Sequence, residues 1–222
     1  MSASLQLYAR FLRMKFTKTL LQKMLDSALS AIEKNLAYLN QLDSATGDGD
    51  HGTAILAAMK AAAAAKKDGT LAAALETVGW DVMSGTNGST SALTGSFFVG
   101  MSGAADADEL DAAQTAAVFE AGLANVQTAT KAKVGDKTLM DALIPAIEAV
   151  SVRKDTGSLA EMFRFAAQAA QKGADSTKDL VAKHGRAKNL GERSKGNLDA
   201  GAVSTALIYK AYDDAVNNAG NF

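Results

Sequence analysis

Residues 16–52 read FTKTLLQKMLDSALSAIEKNLAYLNQLDSATGDGDHG. The first part of this stretch carries apolar side chains three and four residues apart, which is the spacing of one face of an α-helix. These apolar residues are Leu20, Leu21, Met24, Leu25, Ala28, Ile32, Leu36 and Leu39. The pattern predicts a helix over residues 16–39, followed by a loop, Asp43–Gly52, that contains three aspartates and three glycines.

The three aspartates of this loop predict a metal site. Glycine allows the backbone to bend so that Asp43, Asp48 and Asp50 can turn toward one point. Like charges that converge repel one another, and a hard divalent cation relieves the repulsion. Magnesium prefers such oxygen ligands and keeps sites for water and for substrate phosphates. We therefore predict a magnesium–phosphate site here, with an exposed turn rich in Asp and Gly as the alternative.

Three known loop motifs fit the same residues poorly. Gly47, Gly49 and Gly52 have the spacing of the dinucleotide-binding fingerprint, but that motif follows a strand and a helix precedes it here. A P-loop requires a lysine after the last glycine, where this chain has Thr53. An EF-hand requires a glutamate at its twelfth position, and Ala54 stands there when Asp43 is counted as the first.

The composition indicates a helical protein. The 222 residues carry a formal net charge of −1, include no cysteine and a single proline, and are 48% hydrophobic. The near-neutral charge gives no sign of a nucleic-acid surface. No apolar run approaches the roughly 20 residues of a membrane span. The lack of cysteine favours a reducing compartment, and we expect the cytoplasm. We read residues 1–15 as an N-terminal extension that need not be ordered and 16–222 as a single domain.

Helical periodicity recurs along this domain, and no alternating strand pattern accompanies it. Short loops favour antiparallel neighbours in an up-and-down arrangement. The prediction is an all-α fold of about eight helices, over residues 16–39, 53–67, 71–83, 90–102, 106–125, 136–150, 158–176 and 200–216.

Two more stretches carry polar residues that suit a binding site, and a third, residues 135–141, is interpreted as structural. Residues 85–91 are small and hydroxylated and open a helix, whose free N–H groups can bind an anion or serve only as a cap. In residues 135–141, Asp136 is expected to cap a helix, with Lys137 in its first turn. A basic loop, defined here as residues 184–199, has cations that complement a polyphosphate; such a loop is a lid or a solvated segment.

These stretches, in this order, resemble the L subunit of dihydroxyacetone kinases, which is the nucleotide-binding domain of that family. The resemblance runs from about residue 21 to 212 and is carried by Gly47-Asp48-Gly49-Asp50-His51-Gly52, Gly135-Asp136-Lys137-Thr138, Gly185-Arg186-Ala187 and Leu190-Gly191-Glu192-Arg193-Ser194. It implies an eight-helix up-and-down barrel with the nucleotide site at one end.

The resemblance also implies roles for individual residues. Asp43, Asp48 and Asp50 match the catalytic ligands of two Mg²⁺ ions. The residues that match contacts to ADP or ATP are His51, Gly52, Thr53, Ala54, Ser89, Thr90, Thr130, Leu139, Arg186, Asp199, Ala200 and Gly201. The chain departs from the family pattern where the family has glycine or proline, at Asn87, Ser91, Ala92, Thr130 and Ala200.

The function implied is transfer of a phosphoryl group from a magnesium-bound adenine nucleotide to a small ketose held by a partner K subunit. The donor is either ATP or a phosphotransferase-system carrier that rephosphorylates a permanently held ADP. Three alternatives stay open: the L subunit of a kinase for a four-carbon ketose or related polyol, a non-catalytic ADP-binding regulatory subunit, and a helical scaffold. The sequence leaves the oligomeric state open, and a homodimer is one arrangement that it allows.

Overall fold

The computed structural model describes residues 14–85 and 88–219, and in these ranges it confirms the all-α prediction. The α-helices of the described residues are α1 (Lys18–Ser44), α2 (His51–Ala64), α3 (Leu71–Gly85), α4 (Ser89–Ser102), α5 (Ala112–Ala129), α6 (Met140–Ser151), α7 (Leu159–Ser176) and α8 (Ala200–Ala219). Most of the predicted extension, residues 1–13, lies outside the described residues, as does the predicted departure at Asn87. None of the described helices is long and apolar enough to cross a membrane.

The helices form a closed ring. Each helix packs against the next one in the chain, and α8 returns to pack against α1. The core holds a run of edge-to-face aromatic contacts, in which the ring of Phe119 lies 5.8 Å from Phe16, 5.9 Å from Phe97 and 5.2 Å from Phe163. An isolated bridge between Phe16 and Leu110 joins the start of α1 to the α4–α5 loop.

Two predicted helix boundaries differ from the structure for local reasons. Helix α1 continues to Ser44, so Asp43 lies in its last turn and not in the loop. Helix α5 begins at Ala112, not at residue 106, because Asp111 and Gln114 form a capping box in which each side chain accepts the other's backbone N–H.

The start of α6 was predicted incorrectly. Asp136 does not cap a helix, because its carboxylate is used in tertiary contacts, and the helix begins four residues later at Met140. Pro145 lies inside this helix. It has no N–H to donate to the carbonyl of Asp141, and that carbonyl lies against Gly173 of α7, where a Cβ would come within 2.0 Å of its oxygen.

Candidate functional site

The up-and-down topology brings the starts of four helices to one end of the barrel. Helices α2, α4, α6 and α8 all run in the same direction, so the loops that precede them lie together. A cavity of about 600 Å³ opens among these loops, which is an ordinary size for a small-molecule site. Because the N-terminus of a helix carries unpaired N–H groups and a partial positive charge, this end of the barrel favours an anion.

The Asp43 carboxylate organises the loop between α1 and α2. Its Oδ2 accepts hydrogen bonds from the backbone N–H groups of Gly49, Asp50 and His51, at 2.9, 3.0 and 3.3 Å. The last turn of α1 therefore holds the start of α2. All three bonds use Oδ2, so Oδ1 can ligate a metal without disturbing them.

The three predicted metal ligands converge. One oxygen from each of Asp43, Asp48 and Asp50 lies within 4.8 Å of the others, with Asp43 half-buried and the other two exposed. Arg186 of the basic loop forms an ion pair with Asp48. A cluster of three carboxylate oxygens fits the ligand preference of Mg²⁺, and the guanidinium offsets part of the negative charge in this structure.

A hydrogen bond links the aspartate loop to α8. His51 Nε2 lies 2.9 Å from the hydroxyl oxygen of Ser204, and that hydroxyl donates to the carbonyl of Gly201 at 3.0 Å. The hydroxyl proton is thereby used, which favours the tautomer in which Nε2–H donates to Ser204. Burial lowers the pKa of His51, and the nearby carboxylate of Asp43 opposes that shift.

Asp199 stands immediately before α8 at the edge of the cavity. Its Oδ1 accepts the backbone N–H of Ala202 at 2.7 Å, as a helix cap does. Burial raises the pKa of Asp199 to about 6; the bond from Ala202 acts in the opposite direction, and the charge of Asp141 adds to the rise.

Ten of the twelve residues predicted to contact a nucleotide line the cavity: His51, Ala54, Ser89, Thr90, Thr130, Leu139, Arg186, Asp199, Ala200 and Gly201. The structure does not bring Gly52 and Thr53 to it. Gly52 packs against α1, where a Cβ would come within 2.5 Å of the carbonyl oxygen of Leu36. Thr53 exchanges two hydrogen bonds with the side chain of Asn40.

The sequence reasoning assigned no site role to five polar residues. Thr46, Lys137, Thr138 and His184 line the cavity, and Ser204 supports it through His51. Lys137 and Thr138 fall in the 135–138 stretch, to which local chemistry assigned only a capping role. Ser204 lies inside a helix with no local signal, since its partner is 153 residues away.

The fold and the cavity together define the class: an all-α protein whose helices form an antiparallel ring, with a carboxylate-lined cavity at one end. The DAK2 domain family matches residues 45–214. The chain is 37% identical over 183 residues to "PEP-dependent dihydroxyacetone kinase 1, ADP-binding subunit DhaL" of Listeria innocua, covering 81% of this chain and 87% of that protein. It is 36% identical over 202 residues to "L-erythrulose kinase" of Pectobacterium atrosepticum, covering 87% of this chain but 34% of that protein.

A solved structure shares the fold. The dihydroxyacetone kinase from C. freundii, in a crystal structure with AMP-PNP and Mg²⁺, matches with a TM-score of 0.69 and 24% identity, over 90% of this chain and 34% of that one. The chain thus spans about a third of the length of the longer proteins that it matches. The chain belongs to the DAK2 domain family and is a kinase subunit of the DhaL type, which confirms the resemblance found in the sequence.

Proposed function

We propose that the cavity binds a magnesium complex of an adenine nucleotide and that the chain passes a phosphoryl group from it to a small ketose held by a K-type partner subunit. The observation that carries this proposal is the convergence of three carboxylate oxygens within 4.8 Å of one another at the end of the barrel where four helices begin. Carboxylates hold the metal, and helix N-termini accept the anion that the metal brings.

The aspartates would hold the metal from two elements. Asp43 reaches the site from α1, while Asp48 and Asp50 reach it from the loop that Asp43 itself orders through Oδ2. Two Mg²⁺ ions, as the resemblance implies, would share these ligands. When bound, Mg²⁺ neutralises charge on the phosphate oxygens.

The other cavity residues would position the nucleotide. Ser89 and Thr90 open α4, so their backbone N–H groups and hydroxyls can donate to phosphate oxygens. Arg186 pairs with Asp48 in this structure; once a metal takes that carboxylate, the guanidinium is free to pair with a phosphate. Thr130, Leu139 and residues 199–201 would contact the rest of the nucleotide, and the basic loop would exclude water from the reacting phosphate.

The names of several relatives support the nucleotide and suggest the donor. The Listeria innocua relative is named an ADP-binding subunit of a PEP-dependent kinase, and a Lactococcus lactis relative, 31% identical, is named an ADP-binding subunit of a PTS-dependent kinase. We propose the same arrangement here, in which a phosphocarrier regenerates the bound nucleotide and a K-type subunit presents the ketose.

Two measurements test this proposal. The purified chain is denatured, and the released nucleotide is identified by liquid chromatography and mass spectrometry; retained ADP supports the carrier-fed mode. The chain is then mixed with a K-type subunit, magnesium, ATP or a phosphorylated carrier, and dihydroxyacetone, and sugar phosphate is followed by ³¹P NMR. Failure of the chain to bind ADP or ATP with magnesium would overturn the proposal.

A second acceptor is favoured by the match to an L-erythrulose kinase at 36% identity. Replacing dihydroxyacetone by erythrulose in the same assay distinguishes the two ketoses. Magnesium-dependent ADP binding without sugar phosphate from either ketose would instead identify a non-catalytic regulatory subunit.

A further inference from the structure

The turn between α5 and α6 is built around two buried charges that the proposed reaction does not use. In this turn, residues 135–138, the N–H groups of Gly135 and Thr138 donate to the Asp141 carboxylate at 2.6 and 2.7 Å. Asp136 and Lys137 are 3% and 2% exposed. Two opposite charges buried side by side need partners, and these partners lie at or next to the two ends of the basic loop and, for Lys137, also at Thr177.

Asp136 holds the start of the basic loop. Its carboxylate accepts from Lys183 Nζ at 2.8 Å and from the ring of His184 at 3.2 Å. Its backbone carbonyl accepts the N–H of Lys183 at 3.1 Å. These bonds lower the pKa of Asp136 to about 2, with the Lys183 bond as the largest cause. Arg186, which pairs with Asp48 in the metal cluster, lies two residues after His184.

Lys137 holds the other end. Its ammonium donates to the carbonyls of Thr177 and Asn197. The Thr177 hydroxyl in turn accepts the N–H of Asp199 at 2.9 Å. Burial lowers the pKa of Lys137, while the carboxylates of Asp199 and Asp141 oppose that shift.

The backbone of Lys137 is strained in support of these contacts. Its φ is +60°, a left-handed conformation that costs a residue with a side chain free energy and that persists only where the surroundings impose it. Adjacent side chains of a tight turn can point in different directions, so one turn reaches both ends of the basic loop.

We propose that Asp136 and Lys137 are positioning residues that fix the two ends of the basic loop at the mouth of the cavity, and so set where Arg186 and Asp199 stand. This inference rests on the proposed function, because it is the nucleotide that those two residues would meet. Asp136 does not line the cavity; Lys137 does, but its ammonium is bound by two backbone carbonyls, so the positioning role needs no contact between either side chain and the nucleotide.

Hydrogen exchange on the full chain, without nucleotide, tests the anchoring directly. In Asp136→Asn, peptides covering residues 183–190 should exchange about tenfold faster, because a charge-assisted bond is lost. In Lys137→Met, the same increase should fall on peptides covering 194–199. Should Asp136→Asn fail to fold, Lys183→Met removes the same ion pair from its half-exposed side and should give the same result.

The matched control is Lys188→Met, which removes an exposed positive charge from the same loop at a position outside the cavity lining and should leave every peptide unchanged. Unchanged exchange in the basic loop of the Asp136 and Lys137 variants would overturn the inference. Equal acceleration in all helices would overturn it too, because that result describes a general loss of stability.

Release of a fluorescent ADP analogue, measured with magnesium by stopped flow, links the anchoring to binding. We expect about tenfold faster release from Asp136→Asn and Lys137→Met than from the wild type or Lys188→Met. If the wild type binds no ADP analogue, the proposed function fails, and the exchange experiment still decides whether the loop is anchored. Faster exchange with unchanged release would overturn the positioning role.

Discussion

Asp50→Asn removes one of the three negative charges at the cavity with almost no change in shape. Asp50 is the residue before α2, and its side chain makes no capping hydrogen bond to that helix. Asparagine is as good as aspartate at this position. The substitution therefore isolates the electrostatic cost of holding three carboxylates together.

The size of that cost follows from the geometry. At the 4.8 Å limit that encloses the three oxygens, two like charges repel by about 0.9 kcal/mol in a water-like dielectric. Asp50 has two such neighbours, Asp43 and Asp48. Because Asp48 and Asp50 are exposed, solvent and salt reduce the sum to about 0.5–1 kcal/mol. Without a metal, Asp50→Asn should thus raise the melting temperature by roughly 1–4 °C.

With magnesium and ADP the order should reverse. A ligand present at a hundred times its Kd adds about 2.7 kcal/mol to the stability of the wild type, which corresponds to a rise of roughly 5–10 °C in a chain of this size. Asp50→Asn should lose most of that rise, because it lacks one metal ligand. The assay is thermal unfolding by circular dichroism in EDTA, in magnesium, and in magnesium with ADP.

The control is Asp155→Asn, which removes an exposed carboxylate from the short helix Lys154–Thr156, away from the cavity lining. It should change none of the three unfolding curves. If Asp50→Asn keeps the full rise with magnesium and ADP, the three aspartates do not hold the metal. If it unfolds at a lower temperature in EDTA, the repulsion argument is wrong.

Three further changes test the packing, the titration and the link to α8. Gly173→Ala should lower the free energy of unfolding by about 1–3 kcal/mol in urea, because its new methyl group meets the carbonyl oxygen of α6, whereas Gly103→Ala, with ordinary contacts, should not. The pKa of Asp199 is about 6 in the folded chain and 3.8 when the chain is unfolded. The free energy of unfolding should therefore fall as pH rises from 3.8 to 6. Asp199→Asn should remove this contribution to the pH dependence. Ser204→Ala should weaken magnesium–ADP binding about tenfold in calorimetry by freeing the His51 ring, while Ser204→Thr, which keeps the hydroxyl, should retain it.

The sequence predicted the fold well because helices are a local property. Apolar spacing indicated each of the eight helices, and the short loops indicated their antiparallel order. The boundaries were less accurate where a side chain had two possible uses. Asp136 has the chemistry of a helix cap, and only the folded chain brings Lys183 and His184 to it.

The acidic cluster was predictable because its three carboxylates fall within eight residues of the chain, at the end of α1 and in the loop that follows it. The remainder depends on pairs that are distant in the chain, such as His51 with Ser204 and Lys137 with Asn197. Gly52 and Thr53 are the opposite case, because the sequence predicted them for the site and the structure does not bring them to it. They stand next to site residues in sequence, but successive helix positions are rotated by about 100°, which places these two against α1.

The alternation of the helices separates two kinds of loop. The loops that lead into α2, α6 and α8, together with Gly88 before α4, border the cavity, while the loops after α2, α4 and α6, at residues 65–70, 103–111 and 152–158, lie at the opposite end. Tags, short insertions or dye labels placed at residues 103–111 or 152–158 should leave ligand affinity intact.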